Sequence, residues 1–192
     1  MPVNMNDPRV KRTRQLMMHA FMEILEEKKN IYSISVQDIA ARATVNRATF
    51  YAHFEDKYAF LESWMREKFQ KKLENELPNG LLSDMLSLRA LITSVFDFLV
   101  RTRQYMTPAD SQFEPLFEVA MHKELYQLLY NWLNKEKTAA STQIVETTAL
   151  VVSWGIFGSG VQWSRSPQRR PMDAMVQDVL VVAAASLAPV IE

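Results

Sequence analysis

The sequence predicts an all-α protein, because its composition and its apolar spacing both favour helices. The chain has 192 residues, 48% of them hydrophobic, so it is long enough to bury a sizeable core. It contains 4 glycines, fewer than a fold of many short strands would need at its turns. Apolar residues recur at steps of three and four along most of the chain, as on a helix with one buried face.

Composition also argues against several kinds of site. The chain has no cysteine, which excludes disulfides, cysteine nucleophiles and thiolate metal sites. Its histidines, His19, His53 and His122, have no metal-ligand spacing, and no glycine-rich phosphate loop is present. We therefore expect no enzyme activity, metal or cofactor. The longest apolar runs are shorter than a membrane span and no leader pattern occurs, so the expected location is the cytoplasm.

The net charge of +0 results from two opposite halves. Residues 1–72 contain 13 Lys and Arg against 9 Asp and Glu, whereas residues 73–192 contain 9 against 13. A basic first part joined to an acidic remainder is typical of a nucleic-acid-binding module followed by a second module. A solvated surface would give the same small surplus, so charge alone does not separate the two interpretations.

The first predicted helix begins at Pro8, after the N-cap residue Asp7. Arg9 and Arg12 lie in its first turns, where cations oppose the helix dipole. An external anion such as a DNA phosphate would relieve that repulsion, so both are candidate DNA contacts; disordered solubilising charge is the alternative. The helix is predicted to continue to about residue 28 because of an apolar stripe: Val10, Leu16, Met17, Ala20, Phe21, Ile24 and Leu25.

Two short helices follow, and their arrangement predicts a helix-turn-helix. Ser35 is an N-cap with Asp38 three residues later, as in a capping box, and Asn46 is the N-cap of a second helix ending near His53. Helices of about two turns are unstable alone, so they must pack against each other and against the first helix. In a helix-turn-helix, the second helix enters the major groove of DNA.

The second short helix lies within the stretch VNRATFYAHFEDK. If Phe50 and Phe54 point inward, the remaining face carries Arg, Ala, Thr, Tyr and His side chains. Arg can hydrogen-bond guanine, Thr and Ala can contact a thymine methyl group, and Tyr, His and the following Lys57 can bind phosphates. An ordinary packing helix would need Tyr51 and His53 inside as well, which two turns cannot readily achieve.

A family resemblance is carried by the segment SVQDIAARATVNRATFYAHFEDKYAFL, and above all by DIAARA and TFYAHFEDK. Over roughly residues 9–64 the chain resembles the DNA-binding region of the tetracycline-repressor (TetR-type) family of bacterial transcription regulators. Thr44 stands where that family usually has glycine, and a left-handed backbone there would cost Thr about 1 kcal/mol or more. The DNA-binding residues, from the resemblance and the patterns above, are Ser35, Val36, Asn46, Arg47, Ala48, Thr49, Tyr51, His53, Lys57, Arg9 and Arg12.

The chain is predicted to divide into a helix-turn-helix domain at 1–54, a linking helix at 55–77 and a helical domain at 78–192. The segment LPNG supplies the boundary after the linking helix. Four or five helices are predicted in the last domain, within about 82–103, 115–135, 141–164 and 172–187. The resemblance implies that this domain binds a ligand and forms dimers through its last two long helices.

Small and apolar residues on those two helices make a candidate dimer interface. Glycines inside the helical pattern SWGIFGSGVQW are costly unless another helix approaches closely, or unless the helix is kinked. The predicted interface is Ala149, Ser153, Ile156, Gly160, Trp163, Val179, Val182, Ala183 and Ser186.

Aromatic and methionine side chains of the later part are candidates for an effector cavity. At helical spacing, the same residues would serve equally well as ordinary core. The candidates are Phe96, Met106, Phe113, Phe117, Met121, Tyr126, Tyr130 and Trp154.

These observations and the resemblance predict a ligand-responsive transcription regulator. It would bind a palindromic operator in double-stranded DNA as a homodimer, act as a repressor, and be released by a small-molecule effector. The alternative is a helical scaffold or protein-interaction module without sequence-specific DNA binding. A steep salt dependence of DNA binding would favour the regulator.

Overall fold

The computed structural model describes residues 7–77, 82–104, 112–135, 140–167 and 169–191, and these residues are helical as predicted, with no strand among them. The helix bounds agree closely with those expected from apolar spacing, whereas most of LPNG lies outside the described residues. The helices are α1 (Pro8–Lys28), α2 (Val36–Arg42), α3 (Arg47–His53), α4 (Lys57–Glu76), α5 (Met85–Gln104), α6 (Glu114–Leu133), α7 (Thr142–Arg165) and α8 (Met172–Leu187).

Contacts group the chain into two compact units. The first contains residues 1–65 and 103–117, and the second contains residues 66–102 and 118–192. This grouping differs from the predicted segments 1–54, 55–77 and 78–192, because α4 is shared between the units and residues 103–117 join the N-terminal part. Contacts bring together segments that are distant in sequence, and helix-breaking residues such as those of LPNG do not reveal such contacts.

Local capping explains where the first three helices begin. The Asp7 side chain accepts a hydrogen bond from a first-turn amide of α1 at 2.8 Å. Ser35 and Asp38 form the predicted capping box, with reciprocal bonds of 3.1 and 2.9 Å. The Asn46 side chain accepts from the amide of Thr49 at 2.7 Å. These bonds satisfy amides that a helix leaves unpaired at its start.

Phenylalanine rings form the core of the first unit. Phe21, Phe50 and Phe60 are fully buried, and the centroid of Phe50 lies 5.4 Å from that of Phe60. Phe54 is also buried and packs edge-on against Phe60 at 5.0 Å. Rings at this spacing add specific stacking energy to the area they bury. The predicted stripe on α1 was wrong at Leu16, which is 46% exposed.

The turn between α2 and α3 retains a left-handed residue without glycine. Thr44 has φ 56°, and its hydroxyl donates to the carbonyl of Ala43 at 2.7 Å. The amide of Val45 donates to the carbonyl of Ala40 at 2.9 Å, which closes the turn. The backbone is therefore not remodelled to suit threonine, and a β-branched residue occupies a strained conformation.

We expect Thr44→Gly to raise the free energy of unfolding by about 1 kcal/mol. Relief of about 1–3 kcal/mol of backbone strain outweighs the extra freedom of glycine in the unfolded chain, about 0.5–1 kcal/mol. Urea denaturation would measure the change. Ala43→Gly is the matched control, since Ala43 has φ −75° and glycine there should destabilise. A lower stability of Thr44→Gly than of the natural chain would contradict the expected strain.

The second unit is built on α5, α6, α7, α8 and the later part of α4. Gly160 of α7 faces α5, where an added Cβ would lie 2.8 Å from Leu99 and 3.3 Å from Phe96. Glycine therefore permits close packing of these two helices. Lys72 and Asp97 form an ion pair of 2.7 Å between α4 and α5.

Helix α7 has the length and composition of a membrane-spanning helix, with a mean hydropathy of 1.4 over its most apolar window. This differs from the expectation that no apolar segment is long enough. In the structure 44% of that window is buried inside the protein, and the buried face includes Ser153 and Ser164. We therefore interpret α7 as a core helix of the second unit.

Candidate functional site

Helix α3 has one buried and one exposed face, as its sequence predicts. Phe50 is fully buried, whereas Tyr51 is 47% exposed. Arg47 is exposed one turn before Tyr51, and its guanidinium lies 6.0 Å from the Tyr51 ring centroid. Ala48 is also exposed, and Thr49 is half-buried. The exposed face thus combines a cation, a phenol and small side chains, which suits contact with base edges and phosphates.

An open groove joins this face to the start of α2. Its lining includes three residues that sequence reasoning missed: Tyr32, Gln37 and the buried Ile34. Tyr32 is 60% exposed although it is aromatic. An exposed aromatic residue in the loop before a helix-turn-helix was the available signal. The lining is Tyr32, Ile34, Ser35, Val36, Gln37, Arg47, Tyr51 and Lys57.

Lys57, predicted only as a phosphate contact, also has a structural role. Its half-buried ammonium donates to the carbonyl of Ile31 at 2.9 Å and to that of Tyr32 at 3.2 Å. These charge-assisted bonds hold the loop before α2 against the start of α4. The phosphate contact of Lys57 stays a prediction.

The basic residues of α1 fall into two groups. Arg9 and Arg12 are exposed, as a phosphate contact requires. Arg14 is half-buried; its guanidinium lies 4.5 Å from the Phe54 ring centroid and donates to the hydroxyl of Ser63. Arg14 therefore stabilises the packing of the first unit, whereas Arg9 and Arg12 remain candidate contacts with the DNA backbone.

His53 is half-buried at the end of α3. Its Nδ1 atom is buried and has no hydrogen-bond partner among the described residues. Burial, together with the positive charge of Arg14, lowers the pKa of His53 below its ordinary value of 6.5. At neutral pH the imidazole is therefore neutral, and it would approach a phosphate as a hydrogen-bond donor and not as a fixed cation.

We expect the free energy of unfolding to decrease as pH falls below 6.5. Burial also lowers the pKa of His122, so the unfolded chain takes up protons at both histidines before the native state does, which favours unfolding as acid is added. Carboxylates with lowered pKa lose their contribution at more acidic pH. Urea denaturation between pH 7 and 5 should show smaller pH slopes for His53→Asn and His122→Asn. Unchanged slopes in both variants would contradict the assignment.

The effector candidates differ in their surroundings. The rings of Phe113 and Phe117 are buried and stack at 6.4 Å within the first unit. Phe96 and Met121 are buried in the second unit, and Trp154 is 53% exposed. Tyr126 and Tyr130 are half-buried, with ring centroids 6.0 Å apart, and Met106 lies outside the described residues. Their contact with an effector stays a prediction.

Trp154 stacks on His122, with ring centroids 3.8 Å apart. Nε2 of His122 lies 3.1 Å from the hydroxyl of Ser153, which itself donates to the carbonyl of Leu150 at 2.9 Å. The direction of the bond between Nε2 and this hydroxyl is set by the imidazole tautomer. The sequence analysis did not predict this contact between α6 and α7.

The predicted dimer seam on α7 faces inward. Ala149 and Ser153 are fully buried, and Ile156, Gly160 and Trp163 are also buried within the chain. The helix that approaches Gly160 closely is α5 of the same chain, and contact of these five residues with a second copy stays a prediction. Two apolar faces lie side by side on α7, and the sequence does not show which one α5 covers.

The exposed face of α7 lies beside its buried face and carries Val151, Gly155 and Gly158. Val151 is 57% exposed, and added Cβ atoms at Gly155 and Gly158 would meet no described atom within 4 Å. On α8, Val182 is 67% exposed, whereas Val179 and Ala183 are buried and Ser186 is half-buried. A largely apolar groove of about 290 Å³ runs between α7 and α8, lined by Val151, Val152, Gly155, Ile156, Ser159, Met175, Asp178, Val179, Val182, Ala183 and Ser186.

Comparisons with known proteins agree with this geometry. Residues 25–63, which contain α2 and α3, match the family described as bacterial regulatory proteins, tetR family. A segment of 60 residues, 31% of the chain, is 37% identical to the uncharacterized HTH-type transcriptional regulator YxbF of Bacillus subtilis (strain 168). The match covers 16% of that relative's length.

Solved structures extend the likeness of fold to most of the chain. A TetR transcriptional regulator from Streptococcus agalactiae 2603V is 20% identical, with a TM-score of 0.56 over 91% of this chain and 95% of that one. The TetR family repressor AlkX from Dietzia sp. strain DQ12-45-1b, implicated in biodegradation of n-alkanes, is 16% identical, with a TM-score of 0.63 over 92% and 98%.

The expected fold class is thereby confirmed, with a helix-turn-helix followed by a helical C-terminal part. The matching family and the matching relative are transcription regulators and not enzymes. The helix-turn-helix within residues 25–63 thus resembles that of the tetR family of bacterial regulatory proteins, and the chain shares the fold of solved TetR regulators.

Proposed function

We propose that this regulator represses transcription by occupying a palindromic DNA operator as a homodimer, and that a small-molecule effector releases it. Repression is what is commonest in the family, and the cytoplasm is where the protein would meet DNA. The operator contacts would come from α1, the start of α2 and the exposed face of α3.

The observation that carries DNA binding is the exposed face of α3. Arg47 and Tyr51 face solvent while Phe50 and Phe54 bury the opposite side. A two-turn helix packed in this way can present its first turn to the major groove. Tyr51 and Arg9 would then contact the neighbouring phosphates of the DNA backbone. The helix itself gains no stability from exposing these side chains, so recognition of another molecule explains them better than packing does.

The homodimer is supported by the exposed apolar surface of α7 and α8. Gly155 and Gly158 leave the backbone of α7 open on the same side as Val151, and Val182 is exposed on the neighbouring helix. Such a surface allows close approach of helices from a second copy around a twofold axis. The two helix-turn-helix motifs of the dimer, about 34–36 Å apart, would then match successive major grooves of a palindrome.

Effector release is proposed as a linked equilibrium. A ligand bound by the C-terminal part weakens DNA binding only as far as it prefers a state with a different spacing of the two helix-turn-helix motifs. Helix α4 (Lys57–Glu76) runs on from the helix-turn-helix and is the proposed lever. The acidic surplus of residues 73–192 favours a neutral or cationic effector over an anionic one.

Selection of duplexes from a random DNA pool with the purified protein, at two salt concentrations, tests the proposal. We expect a palindrome to be enriched and its affinity to fall steeply as salt rises, because phosphate contacts release counterions. If a folded dimer enriched no sequence, operator binding would be rejected for the free protein, and the helical scaffold would become the better interpretation.

A further inference from the structure

We propose that Phe113 is a positioning residue for DNA recognition, acting through Lys57 on the loop that precedes α2. This inference rests on the proposed DNA binding. Phe113 would thereby influence the groove beside α3 through Lys57, which lines that groove. Neither the apolar pattern nor the position of Phe113 in the sequence suggests this connection.

The first step is the bond between Lys57 and the loop. The ammonium of Lys57 donates to the carbonyls of Ile31 and Tyr32. Tyr32 lines the groove beside α3, and α2 begins four residues later at Val36. Ile31 is buried at 1% exposure, so this part of the loop is anchored on its inner side. The position of the ammonium therefore influences where the Tyr32 ring and the start of α2 lie.

The second step is the ring above the ammonium. The centroid of Phe113 lies 5.3 Å from Nζ of Lys57, within the range of a cation–π contact. Phe113 is only 2% exposed and also packs against the ring of Tyr58 at 5.6 Å. It therefore excludes water from one side of the ammonium, which strengthens the bonds from Lys57 to the two carbonyls.

Residues at the ends of α5 and α6 hold Phe113 in place. Its ring stacks on Phe117 in the first turn of α6. The next residue, Glu114, forms an ion pair of 2.9 Å with Arg103 in the last turn of α5. The half-buried charges of this pair tie the residue beside Phe113 to the end of α5. A shift at the end of α5 or the start of α6 would thus move the ring relative to Lys57.

Residues 103–117 are the part of the later chain that groups with residues 1–65. Within this first unit, the described contacts run from Arg103 and Glu114 to Phe113, then to Lys57, and from there to the loop at Tyr32. An effector that displaced the ends of α5 and α6 would act on recognition by this route, in addition to any change in α4.

The test uses the full-length protein and the duplex selected above. Phe113→Met keeps an apolar side chain of similar size but removes the aromatic face, and should weaken duplex binding roughly threefold to tenfold. Phe113→Tyr keeps the face and should restore most of the affinity. The matched control is Phe157→Met, because Phe157 on α7 is as buried as Phe113, at 2% exposure, and has no described ring contact with Phe113; we expect it to change affinity less than twofold, roughly.

A double-mutant cycle separates positioning from general packing. In a Lys57→Met background, Phe113→Met should cause no additional loss of duplex affinity, because the group through which it acts is gone. An equal loss in both backgrounds would overturn the inference. Thermal unfolding of each variant would verify that the proteins compared are folded.

Amide hydrogen exchange gives a readout that needs no DNA. Phe113→Met should speed exchange in the peptide covering residues 31–36, whereas Phe157→Met should leave that peptide close to the natural rate. Unchanged exchange in Phe113→Met would overturn the positioning role even if the duplex is bound. If the natural chain enriched no duplex, the proposed function would fail, and the exchange result would still decide whether Phe113 positions the loop.

Discussion

Replacing Arg47 with alanine should lower affinity for the selected duplex by roughly 10- to 100-fold without unfolding the protein. Arg47 is exposed at the first position of α3, where the side chain of a recognition helix can reach a base edge. A bidentate contact of Arg with guanine contributes about 1–3 kcal/mol, and its loss should also relax the sequence preference at one position of each half-site. Competition binding against single-base variants of the duplex would measure both effects.

Arg42→Ala is the matched control. Arg42 is also exposed, but it lies at the end of α2 and its guanidinium forms two bonds of 2.9 Å with Glu27 of α1. Because it is engaged there, its loss should change duplex affinity little and lower stability only slightly, as for other exposed ion pairs. Equal losses for Arg42→Ala and Arg47→Ala would show a general electrostatic effect and contradict a base contact by Arg47.

The first unit was predictable from sequence because its determinants are local. The N-caps Asp7, Ser35 and Asn46 specify where helices begin within a few residues, and the capping box repeats in the structure as expected. The period of Phe50 and Phe54 indicated which side of α3 is buried. Each of these signals spans less than two helical turns, so no knowledge of distant contacts was needed.

The positioning contacts were not predictable in the same way. Lys57 bonds to carbonyls 25 and 26 residues earlier in the chain, and backbone carbonyls carry no residue-type signature. Its contact with Phe113 joins the starts of α4 and α6. The sequence gives Phe113 only as an apolar residue near a helix start, which fits a core, a cavity or a cation–π contact equally well.

The faces of α7 illustrate a different difficulty. Both Ser153 and Gly155 belong to a small-residue pattern, but Ser153 is buried within the chain and Gly155 is exposed. On a helix apolar around most of its circumference, the hydrophobic period no longer identifies one buried side. The packing of α5 against Gly160 determines the inward face, and that packing depends on side chains from separate helices.

The exposed face of α7 and α8 leads to the second large expected effect, for Val182→Glu. Val182 is 67% exposed in a single copy, so the substitution leaves the core of the chain intact. In the proposed dimer the carboxylate would be buried against an apolar surface without a partner, and we expect dimerisation to weaken at least roughly 100-fold, about 3 kcal/mol. Sedimentation across a concentration series would measure the dissociation constant, with circular dichroism as the check on folding.

Val119→Glu supplies the comparison that gives this result its meaning. Val119 is 65% exposed on α6, so the same charge is introduced at an equally exposed valine away from the groove between α7 and α8. We expect Val119→Glu to remain dimeric and to bind the palindromic duplex normally. Val182→Glu should lose most palindrome affinity, because separate monomers no longer combine the binding energy of two half-sites. A Val182→Glu protein that stayed dimeric at the concentrations of the natural chain would place the dimer interface on another surface.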